Sequence, residues 1–198
     1  MPRPDVSTER KLQIVGAAMK VFTQKGFDAA RMEDIAQEAG LSIGGVYWYF
    51  KSKDDVIVGI MQAIIDADVK ALRELLGAPG TVRDRLSQYV LATIEEAIET
   101  TPLSYELYGL ALRDTKVRKH IRSFFTAYRD VLAEFVRQGI QRGELRDVDA
   151  NLAATTFAAL YEGMLEIALV DPKSVDAKAA LLGGLDLLFD GLANGARQ

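Results

Sequence analysis

Five prolines in 198 residues (Pro2, Pro4, Pro79, Pro102 and Pro172) leave long uninterrupted stretches filled with Ala, Leu, Glu, Lys and Arg. These residues cost least in a helix interior. Period-two alternation is scarce, and there is no repeat of 20 to 50 residues and no low-complexity tract. The chain therefore reads as all-α. An apolar fraction of 49% supplies a sizeable core without crosslinks. With no cysteine and one histidine, His120, disulfide frameworks, thiolate catalysis, Cys/His zinc sites and His-based triads are excluded or nearly so. No metal or cofactor is expected. No apolar run approaches 18 residues, so no membrane span or membrane partner is expected. Met1 to Thr8 lacks the apolar segment of a secretory signal, which leaves the cytoplasm as the expected compartment.

The helices can be placed from their stop and start signals, and about nine are expected. The first begins near Ser7, carries Val15, Ala18, Met19 and Phe22 on one face, and stops at Gly26. Two short helices follow, over about Met32 to Ala39 and from Ser42 to Phe50. Ser52 with Asp55 opens a long helix, Lys53 to Leu76, about 36 Å in length by its rise per residue. Gly77-Ala78-Pro79-Gly80 breaks the chain. Beyond it the pattern predicts helices over Thr81 to Glu99, Pro102 to Arg113, Thr115 to Arg142, Asp149 to Val170 and Ser174 to Leu192.

The most informative segment is residues 31–50, RMEDIAQEAGLSIGGVYWYF. Two short helices that cross steeply need a small residue at the crossing, and Ala36 stands there. Gly40 allows the positive φ of a sharp turn. Ser42 caps the second helix. Ile35, Ala39, Leu41 and Val46 supply the apolar joint, so the segment has the layout of a DNA-reading helix-turn-helix. In the second helix, Val46, Tyr49 and Phe50 share the inner face, which turns Ile43, Gly44, Tyr47 and Trp48 outward. Gly44 and Gly45 each cost about 1 kcal/mol against Ala in a helix, and their expected use is close backbone approach to a large partner. Tyr47 can donate to a phosphate. Lys51 and Lys53 are the only charged residues from Gly40 to Lys53, so no acid on this stretch repels DNA. Arg31 is either a phosphate contact at a helix start or a solvated side chain.

From Ile14 to Lys53 the chain resembles the DNA-binding domain of the tetracycline-repressor (TetR) family of bacterial transcription regulators. The likeness is carried by Ile14, Ala17, Ala18, Phe22, Gly26-Phe27, Asp34-Ile35-Ala36, and Ala39 to Ser42. It continues through Gly45 to Phe50 and Ser52-Lys53. It implies a helix-turn-helix domain over residues 7–53, with its motif at about 31–50, and a larger helical effector-binding and dimerisation domain over 54–198. It also implies a homodimer on a palindromic double-stranded operator, and DNA contacts at Ser42, Gly44, Gly45, Tyr47, Trp48 and Lys53. Arg31, Ile43 and Lys51 join these on the reading above. Relatives often carry Thr or Ser at the position of Arg31 and polar residues at those of Ile43 and Gly45. No Arg, Asn or Gln lies between Ser42 and Phe50, so the bidentate pairings that read guanine or adenine cannot come from this helix. Thymine-methyl contacts and shape readout are expected instead. Arg3, on the N-terminal arm, is either a minor-groove contact or part of a tail.

In the last two helices, Ala153, Phe157, Leu160, Met164 and Ile167 step by four and three, as do Leu181, Leu185, Leu188 and Leu192. Helices apolar over so much of their circumference need partners on two sides. A four-helix interface across a two-fold axis, built on Phe157, Leu160, Met164, Ile167, Leu181, Leu185, Leu188 and Leu192, provides the second. The alternative is that both are central in a monomeric bundle. The family resemblance implies a small-molecule effector pocket in the middle helices. Its candidate lining is Tyr89, Tyr105, Tyr108, Arg113, Phe124, Tyr128 and Tyr161, suited to an aromatic or amphipathic effector.

No nucleotide-binding glycine loop, nucleophile elbow or HExxH motif is present, so an enzyme is not expected. The expected function is a ligand-released repressor; an activator of the same fold, or a helical adaptor using Tyr47 and Trp48 against protein, are the alternatives. The whole-chain charge of −4 speaks against DNA, but it is unevenly distributed. The first 53 residues hold 8 basic and 6 acidic side chains against 16 and 22 in the remainder, which leaves the expected reading head slightly basic.

Overall fold

The computed structural model describes residues 6–193; Arg3 lies outside them. Among the described residues there are eight helices and no strand: α1 (Val6–Lys25), α2 (Met32–Glu38), α3 (Ile43–Tyr49), α4 (Lys53–Leu76), α5 (Val82–Arg113), α6 (Thr115–Gln141), α7 (Ala150–Val170) and α8 (Ala177–Leu192). A single antiparallel bridge joins Leu145 to Ala193.

The ends of these helices follow local chemistry. Gly26, Gly40 and Gly143 take φ of 77°, 65° and 72°, the left-handed conformation that stops a helix without Cβ strain. The Ser42 hydroxyl accepts the Gly45 N–H, the Asp149 carboxylate those of Asn151 and Leu152, and the Asp176 carboxylate that of Ala179. That last cap starts α8 at Ala177, three residues after the position expected from Ser174. Thr81 and Asp84 cap each other's backbone N–H at the head of α5, a full capping box.

One expected boundary is absent. Thr81 to Glu99 and Pro102 to Arg113 form one helix, α5, with Pro102 inside it, which gives eight helices in place of about nine. Pro102 deprives the Ile98 carbonyl of its donor, but Ile98 is on the exposed side, where water can satisfy it. Thr100 and Thr101 turn their hydroxyls back onto the Glu96 and Ala97 carbonyls, so the polar side chains near the proline are satisfied within the helix.

The chain divides into two compact units: Met1–Asp66 with Pro102–Ile121, and Ala67–Thr101 with Arg122–Gln198. Helices α4, α5 and α6 each contribute residues to both. In the first unit, Ile14, Ala18, Phe22, Ile35, Val46, Phe50, Ile57 and Ile60 are buried, and each of these side chains larger than alanine contributes about 1.5–3 kcal/mol by leaving water. Gln13 donates to the Ala39 carbonyl, and Lys25 pairs with Asp34 at 2.8 Å; both tie α1 to α2. Gly59 of α4 lets the Phe50 ring approach so closely that an added Cβ would lie 2.7 Å from it.

The second unit has its own core, in which Leu86, Tyr89, Ile94, Leu132, Phe135, Phe157, Leu181 and Leu185 are buried together. Gly139 of α6 is another enforced close approach, since a Cβ there would meet Leu145 at 2.7 Å. Helix α7 is long and apolar enough, by length and composition, to cross a bilayer, against the expectation that no such segment exists. Its sequence carries Glu162 and Glu166, and one face, Ala154, Phe157, Tyr161 and Leu165, is buried in the unit's core.

Candidate functional site

The turn between α2 and α3 is built as its sequence suggests. Ala36, Ala39 and Val46 are buried, Leu41 half-buried, and the Leu41 N–H closes the turn on the Ala36 carbonyl at 2.9 Å. Val46 and Phe50 face inward, whereas Tyr49 is only half-buried. The opposite face of α3 presents Ile43, Tyr47 and Trp48 to solvent, with Trp48 77% exposed. Gly44 and Gly45 differ in their reasons. A Cβ on Gly45 would sit 3.2 Å from the Ser42 Oγ and crowd the cap, while one on Gly44 would meet nothing within 4 Å. Local packing therefore accounts for Gly45 and leaves Gly44 as an open stretch of backbone on the outward face.

The basic residues are less free than their sequence positions suggest. The Lys53 ammonium donates to the Phe27 and Asp28 carbonyls at 2.6 and 3.0 Å and lies 4.7 Å from the centre of the Phe27 ring. It clamps the start of the α1–α2 connection to the head of α4. Lys51 Nζ donates to the Tyr47 carbonyl at 2.6 Å, where a cation also complements the helix C-terminus. The Arg31 side chain is exposed and makes no cap bond; its backbone N–H donates to Asp34. Lys25 and that N–H hold the Asp34 carboxyl below the usual carboxylate range.

The expected effector residues fall into two groups. Tyr105, Tyr108 and Arg113 belong to the first unit; Tyr105 and Arg113 are exposed and Tyr108 half-buried. Arg113 lines an open cleft of about 530 Å³ in that unit, among the carboxylates Asp28, Asp54, Asp55, Glu106 and Asp114. Tyr89, Tyr128, Tyr161 and Phe124 belong to the second unit and are buried. The Tyr89 ring lies 6.4 Å from Tyr128 and 6.0 Å from Tyr161, centre to centre. The Tyr161 hydroxyl is 3.1 Å from Thr93 Oγ1, whereas the hydroxyls of Tyr89 and Tyr128 are buried with no partner at hydrogen-bond distance among the described residues.

Sequence reasoning missed Asp68. The Ile57, Ile60, Ile64, Leu72 and Leu75 stripe of α4 passes through position 68, and an acid in an apolar stripe was the available signal. Burial is the largest influence on its carboxyl and, with Glu96 and Glu162, raises its pKa from 3.8 to about 6, against the opposing pull of the Tyr89 hydroxyl. Burial likewise raises Tyr89 and Tyr128 well above 10 and Tyr161 to about 12, so all three stay neutral.

Of the expected dimer residues, Phe157, Leu181 and Leu185 are buried within the chain's own core. Leu160, Met164, Leu188 and Leu192 are half-buried, and Ile167 is exposed. The exposed apolar residues on these helices are Leu152, Ile167, Leu169 and Val170 on α7 and Leu187 on α8. Leu152, Ile167 and Val170 follow one helical face.

Two family profiles match the chain. One, described as bacterial regulatory proteins of the tetR family, matches residues 14–60. The other, the C-terminal domain of BetI-type transcriptional repressors, matches residues 82–190, more than half of the chain. The fatty acid metabolism regulator protein of Bacillus subtilis is 24% identical over 190 residues, spanning 92% of this chain and 95% of its own. A transcriptional regulator structure from Pseudomonas aeruginosa superposes with a TM-score of 0.75 at 24% identity, over 98% of this chain and 94% of that one. The B. subtilis regulator FadR, in complex with stearoyl-CoA, superposes with a TM-score of 0.71 at 22% identity, over 91% and 98%. The chain belongs to the TetR family of bacterial transcriptional regulators, and its relatives are regulators, not enzymes.

Proposed function

We propose that this regulator is a repressor that binds a palindromic operator as a homodimer through α3 and is released by a small effector received in the second unit. The observation that carries the reading is the outward face of α3. Ile43, Tyr47 and Trp48 are exposed beside the open backbone of Gly44, on a stretch that has no acid from Gly40 to Lys53. Such a face suits thymine methyl groups and sugar-phosphate walls better than bulk water. Ser42, Gly45, Lys51, Lys53 and Arg31 complete the proposed interface. Lys53 acts there chiefly by fixing the head, since its ammonium is already engaged by two carbonyls. FadR's complex with stearoyl-CoA supports a helical domain of this fold as a receptacle for an amphipathic molecule. Helix α4 runs from one compact unit into the other, so displacement of its distal half by a ligand is the proposed route to the reading head.

The test is binding to duplex DNA from the region upstream of the protein's own gene. Affinity should fall linearly with salt on logarithmic axes, losing about 10³–10⁵ between 50 and 200 mM for a dimer that neutralises six to ten phosphates. Salt-indifferent binding, or none, would favour the adaptor reading. For the dimer, Val170→Glu with Leu187→Glu places charge on two of the most exposed apolar positions, 82% and 77%, without touching the core. Light scattering at micromolar concentration should show a dimer for the parent and a monomer for the variant. A variant that stays dimeric would move the interface off α7 and α8.

A further inference from the structure

We propose that the head of α6 is a second phosphate-binding surface for the operator, with the Lys116 and Lys119 ammonium groups as its contacts. The inference rests on the reading that α3 binds DNA, and it extends the interface beyond the helix-turn-helix.

From Thr115 to Ile121 the chain carries Lys116, Arg118 and Lys119 and no acid, although after residue 53 acids outnumber bases 22 to 16. These cations run against two preferences of helices. A positive side chain near a helix N-terminus meets the positive end of the macrodipole, and Lys116 and Lys119, three residues apart, are like charges on neighbouring positions of one face. Helix α6 has no acid in its first turn to offset them, and Asp114, just before it, is spent on capping the Lys116 N–H at 2.7 Å. Local conflicts of this kind are expected where a surface serves a partner.

The two ammonium groups are available. Lys116 and Lys119 are exposed, and neither enters an ion pair among the described residues. Arg118 is instead committed to the protein. Its Nε donates to the Ala111 carbonyl at 2.8 Å and its Nη2 to the Leu112 carbonyl at 2.9 Å, which closes the end of α5 and fixes the corner from which α6 departs.

That corner belongs to the same compact unit as α1, α2 and α3. There Arg113, Asp114 and Val117 line the open cleft together with Phe27, Asp28 and Ser52, so a single cleft separates the head of α6 from the segments that flank α2 and α3. The charges beside it are sorted. Its five carboxylates lie in the lining, whereas Lys116, Arg118 and Lys119 lie outside it. Point charges on flexible stems, joined to a DNA-reading head and set in no pocket, suit the phosphate backbone, which asks for charge and not for a shaped receptor.

The test compares Lys116→Gln with Lys119→Gln, as one double variant, against the parent on operator duplex, by anisotropy across a salt series. A homodimer loses four cations, so the slope of log affinity against log salt should become shallower by about 3–4, and affinity near 0.1 M salt should fall about tenfold or more. Lys116→Arg with Lys119→Arg should keep the parent slope. Because the contacts are to phosphate, operator and unrelated duplex should weaken by the same factor. Both positions are exposed, so thermal unfolding should match the parent. An unchanged salt slope in the glutamine variant, or a loss confined to the operator sequence, overturns the proposal. If the slope is unchanged while Trp48→Ala still weakens operator binding, the α3 reading stands and the second surface falls. If the parent shows no salt-dependent DNA binding, both fall together.

Discussion

Replacing Trp48 with glutamate should lower affinity for the operator by about 100-fold while leaving the fold intact. Trp48 is 77% exposed on α3, so the free protein loses almost no buried area, and surface changes of this kind stay within about 0.5 kcal/mol of the parent. On DNA the same position adds a negative charge to a surface facing phosphates. Like-charge juxtaposition in an interface costs several kcal/mol, and about 3 kcal/mol corresponds to the expected 100-fold. Trp48→Ala removes only the apolar contact and should cost roughly tenfold, in the range of a lost methyl or stacking contact. The ratio between the two variants is the informative quantity, measured by anisotropy with a labelled duplex at fixed salt and accompanied by thermal unfolding. Equal affinities for parent and Trp48→Glu would take the reading face off α3. Lys53→Ala is a poor substitute for this test. Its ammonium bonds the Phe27 and Asp28 carbonyls and sits over the Phe27 ring, so its loss would disturb the head and the phosphate contact together.

The reading head was legible because its determinants are local. Ala36, Gly40 and Ser42 act within a few residues of their own positions, through burial, a φ of 65° and a cap on the Gly45 N–H. Such signals survive in a bare sequence. What the sequence hid is tertiary. Lys53 meets its partners across 25 and 26 positions, and no pattern within α4 marks that use. Pro102 reads as a boundary because its cost to a helix is general, yet the carbonyl it orphans is on the exposed side of α5, which lowers that cost. Periodicity found the apolar stripes of α7 and α8 but could not sort them. Phe157, Leu181 and Leu185 fill the core while Leu152, Val170 and Leu187 face out, and helices apolar over most of their circumference offer no phase to separate the two sets. In the middle helices, aromatic composition pointed to six of the seven candidates, Arg113 being the seventh. Of these, Tyr89 lies close to both Tyr128 and Tyr161, and Asp68, whose carboxyl feels the Tyr89 hydroxyl, was concealed as one acid in a stripe of isoleucine and leucine.

Arg85 is the side chain on which the second unit should depend most, and Arg85→Ala is expected to lower its unfolding free energy by roughly 3 kcal/mol. The residue is fully buried, which a sequence reading of a charged residue in the first turns of a helix does not suggest. Its Nη1 donates to the Leu76 and Leu75 carbonyls at 2.7 and 3.3 Å and to Gln138 Oε1 at 2.9 Å. Its Nε lies 3.3 Å from the Thr81 carbonyl. The guanidinium thus caps the end of α4 and ties it to the head of α5 and the last turn of α6, resting 5.2 Å from the centre of the Phe135 ring. Two opposing effects decide the outcome. Burying a guanidinium costs several kcal/mol, and one of its nitrogens, Nη2, has no partner among the described residues. Against this, truncation takes the guanidinium donor from the Leu76 carbonyl and the Gln138 amide oxygen, removes a second donor from the Leu75 and Thr81 carbonyls, and leaves a void beside Phe135. The stranded acceptors should dominate, because the parent recovers part of the desolvation through charge-assisted bonds whereas alanine offers them nothing. Arg85→Met separates the two effects by restoring most of the volume without the donors. Denaturant unfolding at fixed protomer concentration should then order the three proteins as parent, Met and Ala, with Met still about 1–2 kcal/mol below the parent. A methionine variant as stable as the parent would mean that the buried charge cancels its own hydrogen bonds, and that Arg85 fixes where α4 ends without adding to stability.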